Sequence, residues 1–256
     1  MLGKKTKTDY AKGMQRYIDA HCHLQKFSNL TDVIQRAKGL GICGFVCNST
    51  SSADWNKVIE LGKSYSNIYP CIGIHPWCVD KTSYGDILRM HELLKSDSRI
   101  MVGEIGLDKL HPDMKTQEDI FIKQLILAAE FNRSVHIHCV GAWDRLLHIL
   151  KGLREKVPHL MVLHGFAGSV EISRSLLREY NVFFSFSPVI NNWKSRLNVI
   201  KEMPLDRVLV ESDDANPDVI LEVVKKISEV LGLSVAQVAD AIYDNSQRFL
   251  KDGQAA

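Results

Sequence analysis

Residues 17–26 read YIDAHCHLQK: two histidines one residue apart, an aspartate two before the first, all inside an apolar run. Asp19, His21 and His23 share a parity, so on a regular strand their side chains project from one face. Imidazole beside carboxylate can ligate a divalent cation, and it can equally form an ordinary polar patch. Further candidates follow at His75, Glu104, His138, His164 and Asp213, each near the end of another apolar run. Nitrogen and carboxylate donors without thiolate suit a hydrolytic Zn, Mn or Mg centre. Two cations held close together need about six protein ligands plus water. Four histidines (His21, His23, His138, His164) and two carboxylates (Glu104, Asp213) supply that number.

Residues so far apart meet only if the fold gathers the ends of those runs. Strand-like runs occupy 17–23, 41–49, 68–75, 100–106, 134–138, 160–165, 182–187 and 208–213. Helix-like stretches lie between them. The clearest is 116–131, TQEDIFIKQLILAAEF, with helical apolar spacing behind a Thr-x-x-Asp start. The stretch SVAQVADAIYDNSQRFL closes the chain, with Ser234 as its N-cap. Eight alternating units in a chain of 256 residues predict an α/β fold, a single-domain (β/α)8 TIM barrel over 17–256 behind a polar leader at 1–16. An open doubly wound sheet would bring a glycine-rich turn after the first strand, where His23-Leu24-Gln25 stands instead. In a barrel the C-terminal strand ends converge on one face, so His75, Glu104 and the other candidates would share it.

Composition sets the outer bounds. The chain is 45% hydrophobic and 24% charged, ordinary for a globular protein, and its net charge of +2 gives no global basic field. A phosphate-bearing substrate would therefore be held by local groups. Lys4, Lys5 and Lys7 are expected to belong to a frayed terminus. The six cysteines form no C-x-x-C pair, which predicts free thiols and a reducing, cytoplasmic location, with the nucleus also open. No apolar run reaches the length of a membrane span. His91, His111, His148 and His159 read as surface residues, and Trp143, Phe121 and Leu125 as helix core. His136 lies deeper in its strand than His138 and is expected to brace a ligand through a hydrogen bond; Asp19 either braces the histidines in the same way or merely closes the strand's hydrogen bonds.

The motifs DAHCHL, GIHP, VGEIGLD, VHIH, LHGFAG and LVESDDA, in this order, resemble the TatD family of metal-dependent deoxyribonucleases across nearly the whole chain. TQEDIFIKQLILAAE and the closing helix with its Asn extend the likeness. The resemblance implies a barrel hydrolase that uses two divalent metal ions to cleave phosphodiester bonds, in members described as 3′-to-5′ exonucleases. It implies His21, His23 and Asp213 at one metal, His138 and His164 at the other, and Glu104 bridging. His75 matches a position beside the substrate phosphate. Asp213 would also take a proton from the attacking water.

The chain departs from that pattern at the rim. SDDANPDV stands where TDSP with an aromatic and a proline-bearing loop is usual, so the loop is shortened. Lys109 and Leu110 replace aromatics, Cys139-Val140 replace an Arg, and Trp77 replaces a His. Substrate choice rests on these regions. Two rivals stand beside a DNA phosphodiesterase: an amidohydrolase-type enzyme for a small amide or ester, and a barrel turned protein-binding scaffold. Many two-metal amidohydrolases use a modified lysine at the fourth strand; Glu104 there favours the phosphodiesterase.

Overall fold

In the computed structural model, which describes residues 14–188, 194–214 and 216–253, the apolar runs form eight parallel strands. They are β1 (Tyr17–Cys22), β2 (Ile42–Asn48), β3 (Ile68–Ile72), β4 (Met101–Asp108), β5 (Val135–Val140), β6 (Met161–Leu163), β7 (Val182–Phe186) and β8 (Val208–Val210). Each pairs with the next in order, and β8 returns to β1. The seam is short: the Asp213 amide donates to the His21 carbonyl at 2.9 Å, and Cys22 bridges Asp213. Helices alternate with strands as α1 (Leu30–Gly39), α2 (Trp55–Ser64), α3 (Ser83–Ser96), α4 (Met114–Glu130), α5 (Trp143–Leu153), α6 (Val170–Glu179), α7 (Lys194–Glu202) and α8 (Val219–Leu231), with α9 (Val235–Gly253) last. The protein is a single-domain TIM barrel. Of the predicted leader, residues 1–13 with the three lysines lie outside the described residues.

Two apolar layers hold it. Ile18, Val46, Cys71, Met101, Val162, Phe183 and Leu209, one from nearly every strand, pack inside the barrel with Phe249 and Leu250 of α9. The alternate faces pack against the helices, with Phe121, Leu125 and Trp55 among the buried side chains. Burial on both faces explains why the strands read as near-continuous apolar runs. Asn245 anchors α9 by donating to the carbonyls of Leu205 and Val208, both at 2.8 Å. Ser234 caps that helix, its Oγ accepting from the Gln237 amide at 3.2 Å.

Several expected boundaries move. β3 ends at Ile72, so His75 does not end a strand; it caps a 3-10 turn at Pro76–Cys78. β4 runs on to Asp108, which places Glu104 mid-strand. His164 and Asp213 lie beyond the last residues of β6 and β8, and β5 extends past His138 to Val140. The cap of α4 is Asp113, whose carboxylate accepts from the Thr116 amide and hydroxyl, so the helix starts ahead of the Thr-x-x-Asp signal.

Parity also fails where it matters. From Asp19 to Cys22, β1 advances three residues while β2 advances two, and β4 gains one residue on β5 between Val102 and Ile105. An extra residue of this kind re-aims side chains locally. His21 and Glu104 sit in these two irregular stretches.

Gly106 pairs with His138 at φ +151°, and a Cβ there would lie 1.9 Å from the His138 carbonyl oxygen. Gly106→Ala should cost more than about 1 kcal/mol of stability. Gly85→Ala, in α3 with open space around the new methyl, should gain about 0.5–1 kcal/mol. Thermal melts of the two variants are expected to move in opposite directions.

Candidate metal centre

The bent stretches of β1 and β4 bring one carboxylate under a ring of imidazoles. Glu104 is buried at the C-terminal mouth. Its Oε2 lies 3.3 Å from His21 Nε2 and 3.4 Å from His23 Nε2. Its Oε1 lies 2.6 Å from His164 Nε2, 3.0 Å from His138 Nδ1 and 3.1 Å from His75 Nε2. Asp213 joins the first group, with Oδ1 3.6 Å from His23 Nε2 and 4.0 Å from His21 Nε2. Each oxygen of Glu104 thus faces its own cluster of donors.

Hydrogen bonds on the far side of the rings decide which nitrogens present lone pairs. His23 Nδ1 is 2.7 Å from the Asn48 carbonyl, which only accepts, so Nδ1 carries the proton and Nε2 is free. His138 Nε2 faces Asp108 Oδ2 at 3.3 Å, leaving Nδ1 towards Glu104. Glu211 Oε1 lies 3.7 Å from His164 Nδ1, beyond hydrogen-bond length yet near enough to bias the proton to that side. His75 is the reverse case. Its Nδ1 accepts the Trp77 amide at 3.1 Å, so Nε2 carries the proton and donates to Glu104. A protonated nitrogen is no ligand. His75 is built as a donor.

The electrostatics ask for positive charge. Burial would raise the Glu104 carboxyl, but His164, His75 and His21 outweigh it and hold it well below the carboxylate range. Burial likewise opposes a charged His164, yet Glu104 pushes that imidazole well above its ordinary value. His138 Nδ1 and His164 Nε2 face each other at 3.1 Å. Two lone pairs so close repel unless a proton or a cation lies between them. Neither ring nitrogen of buried His21 is hydrogen-bonded, an orphan that a cation would satisfy. These donors fit Zn, Mn or Mg. His21, His23, His138, His164, Glu104 and Asp213 would be the side chains to hold such a metal.

Two residues that sequence reasoning passed over complete the frame. Asp108 receives the Trp77 indole N–H at 2.5 Å and the Leu110 amide at 2.8 Å, besides facing His138. Burial would raise its carboxyl, but His138 and Trp77 outweigh that and lower it. Glu211, fully buried, receives the Gly165 amide at 2.7 Å and the Ser185 hydroxyl. Glu211 stands two residues before Asp213, the spacing that picked out the first histidines, whereas Asp108 follows Glu104 by four.

Asp19 does not touch an imidazole. It accepts from the Ser212 amide at 3.0 Å, the Ser212 hydroxyl at 2.5 Å and the His21 amide at 3.3 Å, which ties β1 to the segment carrying Asp213. The bracing hydrogen bond expected of His136 is absent: both its ring nitrogens are buried without a partner, against Phe249 and His21. His111 is no bland surface residue either, since it stacks on Trp77 at 4.7 Å. A cavity of about 180 Å³ opens above Glu104, with Lys26, Trp77 and Asp213 at its walls.

A family model described as TatD related DNase matches residues 18–251. The chain belongs to the TatD family of metal-dependent hydrolases. A TatD relative named as an uncharacterized metal-dependent hydrolase of Methanocaldococcus jannaschii is 29% identical over 251 residues, covering 92% of this chain and 97% of its own. A Klebsiella pneumoniae protein named 3′-5′ ssDNA/RNA exonuclease TatD is 28% identical, covering 71% and 70%. The crystal structure of the TatD homologue YjjV from Escherichia coli superposes with a TM-score of 0.84 at 24% identity, over 93% of this chain and 98% of that one, and shares the fold.

A ring nitrogen that presents a lone pair can take a cation, and one that carries a proton cannot. Asp108→Asn and Glu211→Gln should each weaken metal affinity about 10- to 100-fold in a chelator competition. His75→Gln should leave metal stoichiometry unchanged, and a lost cation in that variant would make His75 a ligand.

Proposed function

We propose that this chain is a deoxyribonuclease that hydrolyses phosphodiester bonds with two cations, trimming DNA from the 3′ end. The observation that carries the reading is the division of Glu104, one oxygen to each donor cluster, beneath an open cavity. The name of the Klebsiella relative, an exonuclease for single-stranded DNA and RNA, supports the substrate class. Two divalent cations bound there would polarise a phosphoryl oxygen and lower the pKa of a water towards neutrality.

The protein's own groups do the rest. Asp213 is 37% exposed at the cavity wall, so it can meet both a cation and the attacking water. Burial would raise its carboxyl, but the neighbouring imidazoles of His23, His164 and His21 outweigh that and keep it ionised and able to accept that proton. His75 Nε2–H can turn from Glu104 to a phosphate oxygen or to the departing oxygen. Lys26, at the same wall and paired with Asp214 at 2.7 Å, offers the substrate a mobile cation. All six cysteines are free, in keeping with a reducing compartment such as the cytoplasm. No helix among the described residues is long and apolar enough to cross a membrane.

The metal-loaded protein should shorten labelled single-stranded DNA from its 3′ end and stop when a chelator is added. Asp213→Asn should lower kcat about 10²- to 10⁴-fold. Its melting temperature should stay within about 2 °C of the parent, as for an exposed site. Loaded protein that turns over no DNA, RNA or nucleotide ester would move the reading to a small amide or ester.

A further inference from the structure

Trp77 is 59% exposed, an unusual state for a large aromatic that is nonetheless held rigidly. Its indole N–H donates to Asp108 at 2.5 Å and its backbone amide to His75 at 3.1 Å. Its ring lies 4.7 Å from that of His111 with the planes 25° apart. Ring centres of His75 and His138 are 4.8 and 6.2 Å away, so the indole stands beside the imidazoles that face Glu104. It also stands between two hollows. Trp77 walls the 180 Å³ cavity over Glu104, while its partner His111 walls an adjoining cleft of about 360 Å³ with Lys109, Met114 and Arg145.

We propose that the Trp77–His111 stack is a platform for a nucleobase next to the scissile phosphate, with the adjoining cleft taking the strand onward past Lys109. The inference rests on the phosphodiesterase reading above and deepens it. A planar group tied to a phosphate through one sugar would reach the indole while that phosphate lies over Glu104. Arg145 in the cleft is committed to Glu118, whereas Lys109 forms no ion pair among the described residues and stands free for a neighbouring phosphate. Both rings are fixed before binding, so little rotamer freedom is lost when a base stacks. Such stacking is tolerant of sequence, because every base presents a π face. The enzyme would then demand a base at that position without choosing among bases.

The test compares two labelled single-stranded thymidine hexamers. One is intact; in the other, both nucleotides flanking the terminal phosphodiester are abasic. Wild type should favour the intact hexamer by about tenfold or more in kcat/KM, chiefly through KM. W77A should bring that ratio close to one, and W77F should keep most of it. Both substrates meet the same metal centre, so harm done by losing the bond to Asp108 cancels in the ratio. An unchanged ratio in W77A overturns the platform. If wild type cleaves neither hexamer, the phosphodiesterase reading fails, and fluorescence anisotropy of the same hexamers decides the platform alone. Tighter binding of the intact strand that W77A abolishes supports it, and equal binding of both strands by wild type overturns it.

Discussion

A single buried carboxylate among five imidazoles constrains this molecule more than any other interaction. Glu104 lies at the centre of the barrel mouth with His21, His23, His75, His138 and His164 all within 3.4 Å of its oxygens. An ionised group there is costly unless positive charge or donors surround it. Five strands or the turns after them must therefore end at matched depths. The extra residues in β1 and β4 are the backbone's answer, since regular pleating would turn His21 or Glu104 away. The β1–β8 seam serves the same end, because Asp19 and Ser212 fix Asp213 against the first-strand histidines.

Around that carboxylate runs an outer set of polar groups that biases the proton on four of the five imidazoles. The Asn48 carbonyl, Asp108 and Glu211 turn three histidines into lone-pair donors, while one backbone amide turns His75 into a proton donor. In the proposed reaction, the difference between holding a cation and touching a substrate would be written in hydrogen bonds outside the site. Asp108 links both functions, since it holds His138 on one side and Trp77 on the other.

Much of this could be read from the chain. Eight apolar runs, each short and followed by a helical pattern, announce the barrel, and polar residues near their ends mark the mouth. The count of strands survived; their ends did not, because β3, β6 and β8 stop early and the polar residues after them belong to turns. Parity grouped His21 and His23 and left Asp19 open between bracing them and closing the strand's hydrogen bonds, since the irregular step in β1 is a pairing feature without a local residue signature. Asp108, four residues after Glu104, and Glu211, two before Asp213, each stand beside a more conspicuous acid and read as part of its motif. The surroundings of His136 and His111 could not be read from sequence, as burial without a partner and stacking on Trp77 arise only from tertiary contacts.

The proposed reaction needs Glu104 to serve two cations at once, and counting the metal tests that most directly. Elemental analysis of the dialysed protein, loaded in turn with Zn, Mn and Mg, should give about two divalent ions per chain for at least one metal. Glu104→Gln, which keeps the side chain's shape and removes its charge, should hold less than about one under the same conditions. Two ions retained by that variant, or a single ion bound by the parent at saturation, would contradict the bridging carboxylate.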